Sequence, residues 1–207
     1  MKAVPRIVRR RWLACIAVLL LSACAADPLH FHTLLADTQP APAREAGFAI
    51  DVQRVRVPAQ VDHPELVLRA SDGQLVRIEN RRWSAPLPDE VRGALAAALS
   101  SQLGAADVSS VAAIPERPLY RVVLDVQRFD AREAQGVALT AVWSLRLIDG
   151  GKERQIWTCA SRVERPAAAG YEALVGAAQD AVAGVATDIA ALIDAAQRDA
   201  RHAACRR

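Results

Sequence analysis

Aromatic residues and common enzyme motifs are both scarce in this sequence. Phe, Trp and Tyr make up 4% of the 207 residues, which argues against a stacked aromatic platform for sugars. The chain has no nucleophile elbow, no phosphate-binding glycine loop, no H-E-x-x-H zinc motif and no C-x-x-C pair. We therefore expect no enzymatic activity and no bound cofactor, and a protein that works by binding.

Acidic residues are missing from the N-terminus, where no Asp or Glu precedes Asp27. Five Lys and Arg residues fall within the first eleven positions, and a ten-residue apolar run, residues 12–21, follows them. A membrane-spanning helix needs about 20 apolar residues, so this run is too short to favour a retained transmembrane anchor. The pattern predicts that residues 1–23 are a secretory signal peptide.

The apolar run ends in the sequence Leu21-Ser22-Ala23-Cys24, which resembles the lipobox of bacterial lipoproteins. The resemblance implies that the Cys24 thiol receives a diacylglycerol and that Cys24 becomes the acylated N-terminus of the mature protein. In many Gram-negative bacteria an Asp directly after this Cys retains the protein in the inner membrane. Ala25 and Ala26 follow here, so the expected location is the outer membrane, on its periplasmic face.

The positive net charge of the chain belongs to the signal peptide. The full sequence has 26 Lys and Arg against 23 Asp and Glu, and residues 1–23 contain five of the basic residues and none of the acidic ones. The mature chain is therefore slightly acidic. We therefore do not expect this protein to bind nucleic acid, which would require a basic surface.

Two cysteines remain for the folded part, Cys159 and Cys205, in a compartment that permits disulfides. Two interpretations stay open, because Cys159 could pair with Cys205 or could simply be a small core residue of a strand. His30 and His32 could share one strand face as metal ligands, but no third ligand is near them in sequence. We therefore expect two exposed histidines and no metal.

Hydrophobic periodicity predicts the secondary structure of the mature chain. Leucines and valines recur every four residues in a helix over 89–103, and an apolar seam runs along a long closing helix over 171–198. Alternating apolar residues predict the following strands: 48–57 with a bulge near 53–54, 66–70, 75–78, 119–129, 137–147 and 155–163. These elements predict an α+β fold with a largely antiparallel sheet, two main helices on one face, and a single domain.

The expected domain organisation has four parts. They are a signal peptide over 1–23, a lipidated N-terminus and tether over 24–46 with a first strand at 30–35, the α+β domain over 47–198, and a charged tail over 199–207. Within the domain, a three-residue loop over 149–151 would place Trp143 opposite Trp157 on one sheet face.

Several segments of the domain, in order, resemble the ABC-type transport auxiliary lipoproteins, the PqiC-like family. They are Val55-Arg-Val-Pro58, Asp62-His-Pro-Glu-Leu-Val-Leu-Arg69, Arg82-Trp-Ser-Ala-Pro-Leu87 before a helix, and Tyr120-Arg-Val-Val-Leu-Asp-Val-Gln-Arg-Phe-Asp130. The resemblance extends over about residues 29–197. His63 stands where the family usually has Arg, so a contact made by that residue would be weaker or pH-sensitive here.

The resemblance implies a partner and a role. Such lipoproteins accompany an ABC transporter and an MCE-type protein that spans the periplasm, and together they move lipids between the two membranes. The expected function is the outer-membrane docking subunit of that system, attached to the membrane by its lipid. The alternative is a periplasmic carrier whose own cavity holds a hydrophobic ligand. Self-association into a homo-oligomer stays open.

A short segment before the first helix is the candidate partner-binding site. Arg81, Arg82 and Trp83 lie there in a stretch without apolar periodicity, and Arg and Trp are favoured at protein interfaces. Trp83 could equally be a core residue at the start of the helix. Replacement of both arginines by Glu is expected to leave folding intact and to weaken partner binding if this segment is the interface.

Overall fold

The computed structural model describes residues 27–36, 45–111 and 117–205 of the chain. The signal peptide and Cys24 lie outside the described residues. Seven strands and two helices form within them, in the following order: β1 (His30–His32), β2 (Ala49–Val52), β3 (Glu65–Arg69), β4 (Leu75–Trp83), α1 (Leu87–Leu103), β5 (Leu119–Arg132), β6 (Gly136–Asp149), β7 (Lys152–Pro166) and α2 (Tyr171–Asp199).

The strands form two sheets, and the α+β class with mostly antiparallel pairing is confirmed. The larger sheet has the order β2-β5-β6-β7 and the smaller one β1-β4-β3. The sequence predicted one sheet, and this part of the prediction is wrong because the strands divide into two sheets. Strands β1 and β2 add in parallel to β4 and β5, which lie far along the chain. Local hydrophobic alternation carries no information about such distant partners.

The antiparallel meander β5-β6-β7 is the part that the sequence predicted best, and all three strands extend a few residues beyond their expected ends. Its last turn is a two-residue loop, Gly150-Gly151, with positive φ angles of 57° and 71°, as a type I′ turn requires. The predicted register is wrong: Trp143 lies opposite Cys159, and Trp157 lies opposite Leu145. The two tryptophans share the buried face but are offset diagonally.

The two helices supply the second layer of the core. Helix α2 packs on the inner face of β6 and β7, and α1 packs against α2 and β2. Val185, Ile189 and Ile193 of α2 are at most 1% exposed. Helix α2 is long and apolar enough to cross a membrane by length and composition alone. Because its apolar side is buried against the sheet, we assign it to the core.

The two sheets are joined by an ion-pair network as well as by apolar contacts. Arg69 of β3 donates to Asp130 of β5 over 2.9 Å, and Arg128 reaches the second oxygen of the same carboxylate over 2.7 Å. Burial pushes the pKa of Asp130 upward, but the hydrogen bonds from the two arginines outweigh it and hold that pKa below its usual range. The ionised carboxylate therefore fixes β3 beside β5.

The C-terminal residues that the structure describes, up to residue 205, are attached to strand β7 of the large sheet. Cys159 and Cys205 form a disulfide with a Cα–Cα separation of 5.6 Å, so of the two interpretations of Cys159 the paired one holds. The indole N–H of Trp157 donates to the backbone carbonyl of Ala203 over 2.9 Å. Residues 199–205 thus continue the domain along β7, although the sequence assigned them to a charged tail outside it.

Candidate partner-binding site

Two segments that carry the family resemblance meet at the end of the small sheet opposite the β3–β4 turn. Strand β3 begins just after Pro64, and its antiparallel partner β4 ends at Trp83, so the chain before β3 lies beside the chain after β4. The backbone N–H of Trp83 donates to the carbonyl of Pro64 over 2.8 Å. A cleft of about 270 Å³ opens between them, lined by Asp62, His63, Pro64, Trp83, Ser84, Ala85 and Pro86.

The far wall of this cleft is held by β1 and by a buried acid of α1. The N–H and the hydroxyl of Ser84 both donate to the carbonyl of His32, over 2.8 and 3.1 Å. Glu90 is 4% exposed and accepts from the N–H of Ala85 over 3.0 Å. Its other oxygen accepts from the N–H of Leu34 over 2.7 Å. The cleft therefore has a fixed backbone on three sides.

Arg81 connects the small sheet to the start of α2. Its guanidinium lies 3.0 Å from a carboxylate oxygen of Glu172 and 4.9 Å above the centre of the Tyr171 ring. The pKa of Glu172 is lowered by a hydrogen bond that the Glu172 carboxylate accepts from the backbone N–H of the same residue, and also by the positive charge of Arg81. The Arg81 side chain is only 17% exposed. Arg81 therefore acts first as an internal contact between β4 and α2, whatever else it binds.

Arg82 lies on the opposite face of β4, since neighbouring strand residues alternate sides. Its nearest acidic partner is Glu65, directly across the β3–β4 pair, at 3.4 Å. The Arg82 side chain is 39% exposed, so it remains open to a second contact. Of the two arginines that the sequence singled out, Arg82 is the one that presents charge on the surface next to the cleft.

Trp83 is a core residue whose position also forms part of the cleft. It is 8% exposed and belongs to the main hydrophobic cluster, which agrees with the core interpretation of this side chain. The sequence placed residues 81–83 in a connecting segment, which is wrong: they are the last residues of β4 and pair with β1. The structure brings Arg81 and Trp83 to one face and puts Arg82 on the other.

The two histidines of β1 differ in how much of each side chain is buried. His30 is exposed, whereas His32 is half-buried and its Nε2 has no hydrogen-bond partner. Burial, together with the positive charge of Arg81, lowers the pKa of His32, and Glu172 offsets part of this effect. Across the described ranges, no cluster of three or more His, Cys, Asp or Glu side chains could hold a metal ion.

An apolar cavity lies between the small sheet and α2, close to the cleft. Its walls include Leu66, Trp83, Phe129, Leu174 and Ala178. It has room for about 20 Å³, roughly the space of one water molecule, whereas even a benzene-sized ligand occupies an engineered cavity of about 150 Å³. This cavity cannot hold an acyl chain without rearrangement of the core.

Comparison with known proteins identifies the class of protein that carries this fold. A crystal structure described as that of an uncharacterized protein has a TM-score of 0.60 at 23% identity, covering 81% of this chain and 99% of the other. A DUF330 protein from Xanthomonas campestris has a TM-score of 0.60 at 20% identity, covering 83% and 99%. At these identities the similarity concerns the fold. No curated protein matched.

The family model for the ABC-type transport auxiliary lipoprotein component matches residues 32–190. The chain belongs to this family. Membership makes it a lipoprotein that assists an ABC transporter and that is attached to a membrane of the cell envelope. An auxiliary role of this kind is consistent with the lack of catalytic motifs in the sequence.

The sequence did not single out the residue that organises the site, Glu90. The signal was present, since Glu90 lies in the first turn of α1 four residues after Pro86. A glutamate there can reach back to free backbone N–H groups, as in a capping box. What the sequence could not specify is that one of those N–H groups belongs to Leu34, 56 positions away.

Proposed function

We propose that this protein is the non-catalytic docking subunit of an ABC/MCE-type system for lipid transport between membranes. In this proposal Cys24 carries the lipid that anchors it to the periplasmic face of the outer membrane. The partner is an MCE-type protein that spans the periplasm from the ABC transporter. Family membership supports the transporter association, and the cleft beside Trp83 supplies a surface for the partner.

The observation that carries the proposal is the meeting of two segments, 62–64 and 83–86, at one open cleft. Its lining combines apolar Pro64, Ala85 and Pro86 with polar Asp62 and Ser84. Protein interfaces likewise combine apolar and polar residues. A volume of about 270 Å³ accommodates one or two side chains from a partner and lies below the usual range for small-molecule sites.

The alternative function, a carrier that holds lipid in its own cavity, has less support. The apolar cavity under the small sheet has space for about 20 Å³, far below the volume of a lipid. The apolar residues of α2 and of the strand faces are used in the core. Native mass spectrometry of the purified lipoprotein checks this alternative, and a retained, non-covalent phospholipid would favour the carrier.

The docking proposal is tested by capture of the MCE-type protein and its transporter from the same organism. Two variants of the lipoprotein change side chains in or beside the cleft: Arg82→Gln removes the exposed charge without placing a second acid against Glu65, and Ser84→Trp fills the opening. The matched control is Ile156→Trp, which introduces the same side chain at a site 46% exposed on the outer face of β7. Both cleft variants should lose partner binding at least about tenfold, as expected for a central interface residue.

Arg81 is not a suitable probe, although the sequence grouped it with Arg82. A glutamate at position 81 would face Glu172, which lies 3.0 Å from the present guanidinium. The resulting repulsion would perturb the contact between β4 and α2, so a loss of binding would report on folding. If Arg82→Gln and Ser84→Trp retain wild-type affinity at unchanged circular dichroism and melting temperature, the cleft is not the docking surface.

A further inference from the structure

Strand β1 is firmly joined to the domain although it lies near the proposed lipid anchor. All three of its residues pair with β4. Just beyond it Leu34 is 1% exposed, and the amide of Gln179 on α2 donates to the carbonyl of Thr33 over 3.0 Å. Strand β1 is therefore part of the domain, and any tether to the membrane must be contained in the few residues before it.

Those residues allow only a short reach. Leu29 is five positions after Cys24, and an extended chain spans at most ~3.3–3.6 Å per residue. Leu29 therefore lies within roughly 18 Å of the acylated residue, which itself sits at the bilayer surface because its acyl chains are embedded there. This distance rests on the proposed lipidation of Cys24.

The side chains at this end of the domain are apolar and exposed. Leu29 is 53% exposed and Phe31 is 64% exposed. Positions two apart in an extended segment project to the same side, so Leu29 and Phe31 form a small apolar ridge on one face of the small sheet, at its edge strand. Strand β4 pairs with one edge of β1, and among the described residues no strand pairs with the other edge.

We propose that Leu29 and Phe31 insert into the lipid surface beside the anchor, so that β1 forms a second membrane contact. Large apolar side chains such as Phe and Leu bury favourably at the boundary between lipid headgroups and acyl chains, and the lipid on Cys24 would hold the ridge beside that boundary. The occupant that this placement favours is the phospholipid bilayer, because the ridge begins within one short tether of it.

The contact orients the whole domain. The N-terminal end of β1 lies at the membrane, and its C-terminal end meets the cleft, where the carbonyl of His32 accepts from Ser84. Because Phe31 lies directly beside Arg82 in the β1–β4 pair, the cleft that begins at Trp83 lies near the membrane surface in this arrangement. This placement deepens the proposed docking role, because the partner would meet the lipoprotein where the periplasm borders the membrane.

The test uses the full lipidated protein reconstituted in vesicles of phosphatidylethanolamine and phosphatidylglycerol with brominated acyl chains. Leu29→Trp and Phe31→Trp place a fluorophore on the ridge. The control, Ile156→Trp, places one on the outer face of the large sheet at a site 46% exposed. The native Trp83, Trp143 and Trp157 are buried in every variant, and their signal is subtracted with the wild-type protein.

We expect blue-shifted emission and loss of intensity in brominated vesicles for both ridge variants, and neither effect for Ile156→Trp. Mass spectrometry of the N-terminal peptide reports acylation separately. Acylated protein whose ridge emission matches the control overturns the membrane contact and leaves the anchor intact, whereas protein without acylation overturns both. Emission that changes only when the MCE-type partner is added assigns the ridge to that protein and also overturns the inference.

Discussion

The carboxylate of Glu90, in the first turn of α1, accepts a hydrogen bond of 2.7 Å from the backbone N–H of Leu34. The same oxygen accepts from the hydroxyl of Thr33 over 2.8 Å. One buried acid thus fixes the segment after β1 to the first helix. Through Ala85 it also fixes the wall of the cleft, so β1 and the candidate site share one support.

Replacement of Glu90 by Ala should therefore loosen β1. The change leaves the buried N–H of Leu34 without a partner, and we expect a loss of about 2–3 kcal/mol in the free energy of unfolding. Urea unfolding measures the loss, and hydrogen exchange should show that the amides of residues 32–35 lose protection first. The control is Asp89→Ala, an exposed acid in the same helical turn, which should cost less than about 1 kcal/mol. Equal effects of the two variants would contradict this role of Glu90.

Replacement of Cys24 by Ala should abolish lipidation and processing at the lipobox. The thiol is the only group of that segment that can accept the diacylglycerol. Membrane fractionation with mass spectrometry of the N-terminus measures the outcome. Ser22→Ala keeps a small residue at its position and should process normally. A Cys24→Ala protein that still matures to a membrane-bound form of wild-type size would refute the anchor.

Removal of the Cys159–Cys205 disulfide should destabilise the domain without changing its fold. The bond closes a loop with a sequence separation of 46, and restriction of the unfolded chain by a loop of that length contributes about 4 kcal/mol in the simple entropic treatment. Cys205→Ser should lower the urea midpoint and release the C-terminal segment that Trp157 binds. Chemical reduction of the wild-type protein should lower the urea midpoint to the same extent as Cys205→Ser. If neither the reduced protein nor the variant shows a lower midpoint, the disulfide does not stabilise the domain.

Mild acid should weaken the attachment of β1 through His32. Burial and Arg81 place the folded pKa of His32 below the ordinary 6.5. A depressed pKa contributes stability that is present above the unfolded value and is lost as the pH falls toward the folded one. Protection of the β1 amides against hydrogen exchange should fall as the pH is lowered from about 7.5 to about 5. His32→Asn should flatten this dependence and the exposed His30→Asn should preserve it; the reverse pattern would exclude His32 as the titrating group.

The sequence by itself determined the local structure and the class of the protein. The alternating residues of β5, β6 and β7 and the apolar stripes of the two helices each encode their own element, because periodicity acts within a few residues. The order of short motifs was enough to identify the family that the comparison confirmed. The signal peptide and the role of Cys24 stay predictions from sequence.

Only the tertiary structure decided which distant elements meet. The parallel pairings of β1 with β4 and of β2 with β5, the bond of Cys205 to Cys159 and the contact of Arg81 with Glu172 all join residues far apart in the chain. No local pattern favours one such partner over another, since the choice depends on the packing of the complete core. For the same reason Arg81 and Arg82, neighbours in sequence, differ: the strand turns one inward to α2 and leaves the other on the surface beside the cleft.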